Sequence, residues 1–403
     1  MSGPRRVVIV GASAAGLAAA EGLRRSGYDG GLVLVGEEEH LPYDRPPLSK
    51  QVLSGEWAAD RVLLRSAGAL ADLEIELRPA TRARGLDAAA RQVHTAGGGA
   101  IGYDALVVAT GVRPRVLPGT DGVAGVHVLR TLEDASALRQ SLAARPHLVI
   151  VGGGFIGAEA AAVARSAGCE VTLVTDRAVP LADAVGHAIG TMLTDLHREH
   201  GVRTVTGALV ERIVTDGGRA AGVRLSDGRT LPADAVLVGI GARPNTEWLA
   251  GSGLRLGDGV ECDATLRAAE HIWAAGDVAS WPDPATGERL RIEHRTNASE
   301  QGLAVARNIL AGEAATAFTT VPYVWSDQYD LKVQIHGGTR GADQVHIVEG
   351  SLAERKFTAL LARGGQVCGA VGVNMIRPLR ALRPLVAART PWADALVAQG
   401  AGA

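Results

Sequence analysis

The chain has 403 residues, of which 47% are hydrophobic and 21% charged, with 52 glycines and a formal net charge of -2. That length exceeds what one hydrophobic core supports and predicts two or three domains, while the near-neutral balance excludes a general nucleic-acid binder, which carries a basic domain. No apolar run approaches the roughly 18 residues of a membrane-spanning helix, so no membrane partner is expected.

Arg5-Arg6 followed by Val7 to Ala20 imitates an export signal, but its removal would delete the first structural motif of the chain, and that reading is set aside. Val7 to Val10 form an unbroken apolar run suited to a buried parallel strand, and Leu17 to Arg25 continue as a helix. Between them lies Gly11-Ala12-Ser13-Ala14-Ala15-Gly16, a glycine turn whose helix-start N–H groups suit a pyrophosphate; Gly11, Ser13, Ala14, Ala15 and Gly16 are its candidate contacts. A second strand, Leu32 to Val35, ends at Gly36-Glu37. A carboxylate about 20 residues past the turn meets ribose hydroxyls, so Glu37 is the candidate, with Glu38 and Glu39 expected to be solvated.

The segment Leu41 to Lys50 holds three prolines, which forbid a strand, and Ser49 is placed to cap the helix that follows. By itself it reads as a rigid surface loop. Lys50 stands out within it, because lysine occurs only here, at Lys332 and at Lys356. From about Ile75 to Tyr103 the pattern predicts a small β-meander, with strands at Glu74–Leu77 and Gln92–Thr95 and a turn at Gly97–Gly99. Ala105 to Ala109 then returns to the first sheet and ends in Thr110-Gly111, near the expected phosphate site.

The chain repeats the device. His147 to Val151 leads into Gly152-Gly153-Gly154-Phe155-Ile156-Gly157, an alanine-rich helix up to Gly168 and a strand from Val171 to Val174. An insertion of short strands around Arg212 to Leu231 follows. The exit, Ala235 to Asn245 and including Gly241, copies Ala105 to Pro114. Two dinucleotide folds in one chain imply two dinucleotides, of which a flavin and a nicotinamide are the natural pair. At the end of the second strand, Asp176 suits the ribose of NADH, whereas Thr175 and Arg177 lean towards a 2′-phosphate; NADH is expected over NADPH.

His197 and His200 share one helical face but lack a third ligand, so a solvated face and no metal site are expected. His271 to Val278 is a strand ending in Gly276-Asp277, where Asp277 and Val278 would close the first domain on its ligand. His294 is assigned a structural role ahead of a helix from Asn297 to Leu310. The remainder alternates short strands at Lys332–His336, Val345–Val348, Phe357–Leu361 and Val367–Val373, then a helix from Pro378. Cys169, Cys262 and Cys368 lie far apart with no Cys-x-x-Cys pair, which argues against a redox disulfide and for a reducing, cytoplasmic setting.

Arg45-Pro46-Pro47-Leu48-Ser49-Lys50, Gly152 to Glu159, Ala274-Ala275-Gly276-Asp277-Val278 and Trp325-Ser326-Asp327-Gln328-Tyr329 occur in that order. In this the chain resembles the FAD-dependent, NAD(P)H-using ferredoxin reductases of oxygenase and P450 systems, a putidaredoxin reductase-like branch of the pyridine nucleotide-disulfide oxidoreductases that lacks the redox disulfide. The resemblance implies an α/β fold of two Rossmann-like dinucleotide-binding domains, the second inserted in the first, plus a C-terminal α+β domain. FAD would take residues 1–113 and 243–318, NAD(P) residues 114–242, and the α+β domain residues 319–403. It implies that Lys50 lies beside the isoalloxazine and pairs with Glu159 near N5, that Phe155 lies on the nicotinamide side and Trp325 at the exposed flavin edge. Arg45 joins the FAD contacts, and Gly152, Gly154, Ile156, Gly157, Glu159 and Gly241 the NAD contacts.

The implied activity passes electrons from NADH through FAD to a [2Fe–2S] ferredoxin, with the protein a monomer or weak dimer. A small-molecule acceptor or oxygen is the alternative, and a flavin-dependent redox-sensing interaction protein the non-enzymatic one. Because such ferredoxins are acidic, Arg295, Arg307, Lys332, Arg377, Arg380 and Arg383 are the charges expected to reach the partner.

Overall fold

The computed structural model describes residues 3–400 and gathers them into two compact units. The first takes the chain up to Arg45, then Ala59–Arg113 and Ala242–Thr320; the second takes Pro46–Ala58, Pro114–Gly241 and the chain from Val321 onward.

The first unit is built on a six-stranded sheet in the order Arg267–Ala269, Ile272–Ala274, Ala105–Val108, Arg6–Val10, Gly31–Val35, Glu76–Arg78. Every neighbouring pair is parallel except the one at the Arg267–Ala269 edge, and the register sets Val7 beside Leu32 on one side and Ala105 on the other. Strands inside a parallel sheet are covered on both faces, which is why they need unbroken apolar runs; Val7, Val8, Ile9, Leu106 and Val107 are fully buried. The turn after the first strand is forced by its neighbour, since a Cβ on Gly11 would stand 2.0 Å from the carbonyl oxygen of Ala109. Gly11 also has φ +120°, open to glycine alone at little cost.

The helix Ala14–Arg25 packs on the helix Arg295–Ala311 at very short range. A Cβ on Gly302 would lie 2.3 Å from the carbonyl oxygen of Ala15, so the contact requires glycine for space rather than for backbone angle.

Two elements differ from the sequence expectation. Glu76–Arg78 joins the main sheet by pairing with Gly31–Val35, because Ile75 drops into the central core; the meander is instead Ala83–Asp87, Gln92–Thr95 and Ala100–Gly102. A four-stranded sheet of Leu256–Gly257, Gly259–Glu261, Ala279–Pro282 and Arg289–Leu290 has strands too short to show a period.

The second unit repeats the design. Its parallel sheet runs Arg203–Val205, Glu170–Val174, His147–Val151, Ala235–Val238, Val126–His127, so each sheet places the strand before its glycine turn between the following strand and the exit strand. A three-stranded sheet, Val210–Asp216, Arg219–Leu225 and Thr230–Pro232, forms the insertion. The C-terminal part of the unit is a five-stranded antiparallel sheet in the order Tyr323–Gln328, Leu331–Gly337, Gln366–Val373, Lys356–Arg363, Gln344–Ser351, backed by the helix Ile376–Ala387. That helix starts two residues before Pro378, as proline is tolerated in a first turn where no N–H is required. Among the described residues no helix is long and apolar enough to cross a membrane.

The Gly302 contact gives a direct test of the first unit. Gly302→Val overpacks the helix pair and is expected to cost about 3 kcal/mol, or about 6–12 °C in Tm. Thermal unfolding at the wild-type temperature would show that the two helices are not held at this separation.

Candidate functional site

In the first unit the helix Ala14–Arg25 opens at Ser13, whose hydroxyl makes no capping bond. Leu17 N–H donates to the Ser13 carbonyl at 2.8 Å, so the N–H groups of Ala14, Ala15 and Gly16 precede the first helical donor and point out of the helix start. This is an anion-binding end without a side chain filling it. Facing polar groups come from the helix Arg295–Ala311 and its cap. His294 Nδ1, Asn297 Oδ1 and Gln301 Nε2 are buried with no hydrogen-bond partner, while Gln301 Oε1 accepts from Gly276 N–H at 2.7 Å. Buried orphan donors and acceptors beside an open helix start fit a large polar ligand such as a dinucleotide. Burial lowers the pKa of His294, and Asp277 opposes the shift. Composition gave no signal for Asn297 or Gln301, which lie in the helix only by position.

The other candidates of this unit fall out differently. Glu37 is exposed and 3.3 Å from Arg82. Glu38, expected to be solvated, is instead half-buried: it accepts from Arg45 at 2.6 Å and from the Tyr43 hydroxyl. The Arg45 guanidinium also lies 4.9 Å from the Tyr43 ring centroid, so its charge is already engaged within the protein. The Thr110 hydroxyl donates to the Asn245 carbonyl at 2.9 Å, and Asn245 N–H donates to the Gly111 carbonyl at 3.0 Å. Arg113 extends this clamp to Glu247 at 2.7 Å and holds the Glu247 carboxyl down at about 2. Thr110-Gly111 thus ties two distant strands together. The Val278 side chain is fully buried, which leaves only its backbone for a ligand.

In the second unit the copy is strict. Gly152 stands at φ +117° with its would-be Cβ 2.1 Å from the Gly239 carbonyl oxygen, matching Gly11. The helix Phe155–Ser166 opens at Gly154 with no side-chain cap. Phe155 is half-buried, whereas Ile156 and Ile240 are exposed apolar side chains, 46% and 38%, beside the turn; Ile240 and its neighbour Gly241 follow the exit strand. Thr175 is buried against the turn, Asp176 is exposed, and Arg177 reaches Asp183 at 3.1 Å.

The densest chemistry lies on the buried face of this helix. Lys50 Nζ donates to Glu159 Oε2 at 2.8 Å, and the Ser49 hydroxyl donates to the same oxygen. The Ser326 hydroxyl donates to Oε1 at 2.8 Å. Lys50 and Glu159 are 9% and 4% exposed, so neither charge is hydrated enough to stand alone. Ser49 caps no helix: Lys50 occupies the cap position, and the serine serves the carboxylate. Sequence reasoning missed both serines, although each is next to a named candidate, Lys50 or Trp325. Trp325 is half-buried and stacks on Tyr323 with centroids 5.9 Å apart.

His197 corrects a further expectation. It is 4% exposed rather than solvated, with Nε2 3.0 Å from Gln328 Oε1 and Nδ1 3.2 Å from the Tyr329 hydroxyl; His200 is exposed and stacks on Tyr329. Among the expected partner-facing charges, Arg295 is tied to Asp44 and to Ser299, and Lys332 lies 3.8 Å from Asp327. Arg307, Arg377, Arg380 and Arg383 are exposed. The three cysteines are unpaired, and burial pushes the Cys262 thiol up to about 12.

Comparison with known proteins places these features in context. The pyridine nucleotide-disulphide oxidoreductase family matches residues 5–302, and the reductase C-terminal family matches residues 323–402. Rhodocoxin reductase of Rhodococcus erythropolis is 38% identical over 390 residues, covering 96% of this chain and 90% of its own length. The ferredoxin–NAD(+) reductase component of the anthranilate 1,2-dioxygenase system of Burkholderia cepacia is 38% identical over 384 residues, covering 94% of each. A crystal structure of the covalent putidaredoxin reductase–putidaredoxin complex superposes with a TM-score of 0.91 at 36% identity, covering 96% of this chain and 94% of that one.

The buried ion pair and the buried imidazole each carry a measurable cost. Lys50→Met strands the Glu159 carboxylate and is expected to destabilise by about 3–5 kcal/mol, while Lys50→Met with Glu159→Gln recovers most of it; additive losses in a double-mutant cycle would show that the two do not interact. Burial holds His197 near 4 instead of 6.5. Protonation therefore favours the unfolded chain, and stability is full above about pH 6.5 and lost progressively as pH falls to about 4, by about 3 kcal/mol at about 1.4 kcal/mol per unit. His197→Gln should flatten denaturant midpoints across that window relative to wild type, and an unchanged pH profile would place the proton elsewhere.

Proposed function

The chain belongs to the pyridine nucleotide-disulphide oxidoreductase family, and on that footing we propose that it is an FAD-dependent ferredoxin reductase, drawing electrons from NADH and passing them to a [2Fe–2S] ferredoxin that serves a cytochrome P450 or ring-hydroxylating oxygenase. The observation that carries this reading is the buried Lys50–Glu159 pair in a chain with two dinucleotide turns and no paired cysteines. With no thiol pair to reduce, electrons leave through a partner instead of a protein disulfide.

FAD would be held by the turn Gly11 to Gly16, by Thr110-Gly111 and Gly276-Asp277, and by the orphan groups of His294, Asn297 and Gln301. NADH would be held by Gly152 to Gly157, Asp176 and Gly241, with Ile156 and Ile240 as apolar walls. NADH is favoured over NADPH because Asp176 is exposed at the strand end, while Arg177 is shared between Asp183 at 3.1 Å and Asp176 at 3.9 Å. In this reading residues 1–113 and 243–318 form the FAD domain, with Pro46–Ala58 packing in the second unit, 114–242 the NADH domain and 319–403 the α+β domain. When bound, FAD supplies the acceptor for a pair of electrons and the donor for single ones. The protein's part is positional: Glu159 fixes the Lys50 ammonium, and a fixed cation favours added negative charge close to it. Three free cysteines suit a reducing, cytoplasmic compartment.

Arg377, Arg380 and Arg383 recur every three residues on the exposed face of one helix, and Arg307 is exposed on another; these are the cations that would steer an acidic ferredoxin. Ferredoxin-linked cytochrome c reduction by the FAD-loaded protein should fall steeply with ionic strength, as screening shortens to roughly 10 Å at 0.1 M, whereas ferricyanide reduction should change little. Charge reversal at Arg377 should weaken the first and spare the second. Equal salt sensitivity in both assays would instead favour a small-molecule acceptor.

A further inference from the structure

The Glu159 carboxylate is the end of a longer chain of polar side chains, all within the second unit. Ser326 donates to Glu159 Oε1 at 2.8 Å, Gln328 Nε2 donates to the Ser326 oxygen at 3.2 Å, Gln328 Oε1 lies 3.0 Å from His197 Nε2, and His197 Nδ1 lies 3.2 Å from the Tyr329 hydroxyl. Glu159, Ser326, Gln328 and His197 are all buried, and Tyr329 is half-buried and stacked on exposed His200.

The direction of every hydrogen in this chain follows from its charged end. An ionised carboxylate only accepts, so Ser326 must spend its single proton on Glu159. The Ser326 oxygen is then an acceptor and requires an N–H from Gln328. That fixes the amide orientation and turns the Gln328 carbonyl towards His197. His197 must therefore carry its proton on Nε2, which leaves Nδ1 bare to accept from the Tyr329 hydroxyl. All the donors point towards Glu159, and hydrogen bonds aligned in this way polarise one another in a low-dielectric interior.

We propose that His197, in its neutral Nε2–H tautomer, is a positioning residue that locks the Gln328 amide and thereby keeps Ser326 donating to Glu159, leaving Oε2 to Lys50 and Ser49. Without the imidazole the Gln328 amide is free to turn over. Its carbonyl then takes the Ser326 proton, and Oε1 of Glu159 is left buried without a donor. The low pKa of His197 agrees with this role, because a second ring proton would remove the acceptor that Tyr329 uses. The link to turnover rests on the reading of Lys50 and Glu159 as the pair that attends the flavin; the chain itself does not.

The test uses FAD-loaded protein at pH 7.5, with two independent readouts. Nitrogen-15 correlation spectra of histidine-labelled protein should show His197 as the Nε2–H tautomer; the Nδ1–H tautomer would overturn the chain. In stopped-flow reduction by NADH, His197→Leu and Ser326→Ala should each slow flavin reduction about tenfold, the effect of one lost hydrogen bond of about 1.4 kcal/mol. The two changes together should slow it no more than either alone. His197→Gln, which keeps a donor and an acceptor, should restore the rate to within about threefold of wild type. If His197→Leu does not fold, Gln328→Leu breaks the same link and carries the same expectation. Slowing by Ser326→Ala with wild-type rates for His197→Leu and Gln328→Leu would end the chain at Ser326 and overturn the role of His197. The expected tautomer with wild-type rates in every variant would overturn the flavin-facing reading of Glu159 instead.

Discussion

A carboxylate buried on the inner face of a helix is costly unless its charge is answered, and in the second unit two separate parts of the chain answer Glu159. Ser49 and Lys50 come from the proline segment, Ser326 from the first strand of the C-terminal sheet, and Glu159 itself from the helix after the second glycine turn. Left unanswered where it lies, this ion would cost several kcal/mol, so those segments must meet at it. It explains why Pro46–Ala58 packs with the second unit although it interrupts the first in sequence. It also explains why the segment is stiffened by prolines: a fixed loop loses less entropy when it delivers its ammonium.

In the proposed reading the duplicated sheets solve a different problem, that of holding a phosphate at a helix start. In each, the first strand ends at a glycine pressed against the exit strand, and the next helix begins without a side-chain cap. Close approach at the glycine aims the open helix start at the carboxyl edge of the sheet, where bound ligands meet the N–H groups. The two copies diverge in what surrounds that edge. The first is rimmed by buried, unpartnered polar atoms from a helix far along the chain, the second by exposed isoleucines.

Electrostatics divides the arginines by role in the same physical way. Arg45, Arg113 and Arg295 are spent on internal carboxylates, Glu38, Glu247 and Asp44, and so act as struts. Arg377, Arg380 and Arg383 are exposed on one helix and remain available to solvent, which is how a chain of net charge -2 presents a local basic stripe. Burial likewise separates His197 from His200: residues three apart on a helix, one neutral and enclosed, the other exposed and stacked on Tyr329.

The amino-acid sequence by itself determined the two glycine turns, the strands and helices flanking them, and the exit strands that duplicate one another, because each rests on local periodicity and on backbone angles that only glycine adopts cheaply. It carried Lys50 and Glu159 as a pair through family resemblance. What only the tertiary structure decided were contacts between residues distant in the chain: Ser326 lies 167 positions from Glu159, and His197 lies 131 from Gln328. His197 looked solvated because nothing near it in sequence announces the strand Tyr323–Gln328 arriving, and Glu38 because local periodicity does not show Tyr43 and Arg45, five and seven residues on, folding back onto it. Ile75 pulled its strand from the meander into the main sheet for the same reason. Local pattern sets which element forms, but burial of a polar group is a property of what packs against it, and that is settled only when the whole chain has closed.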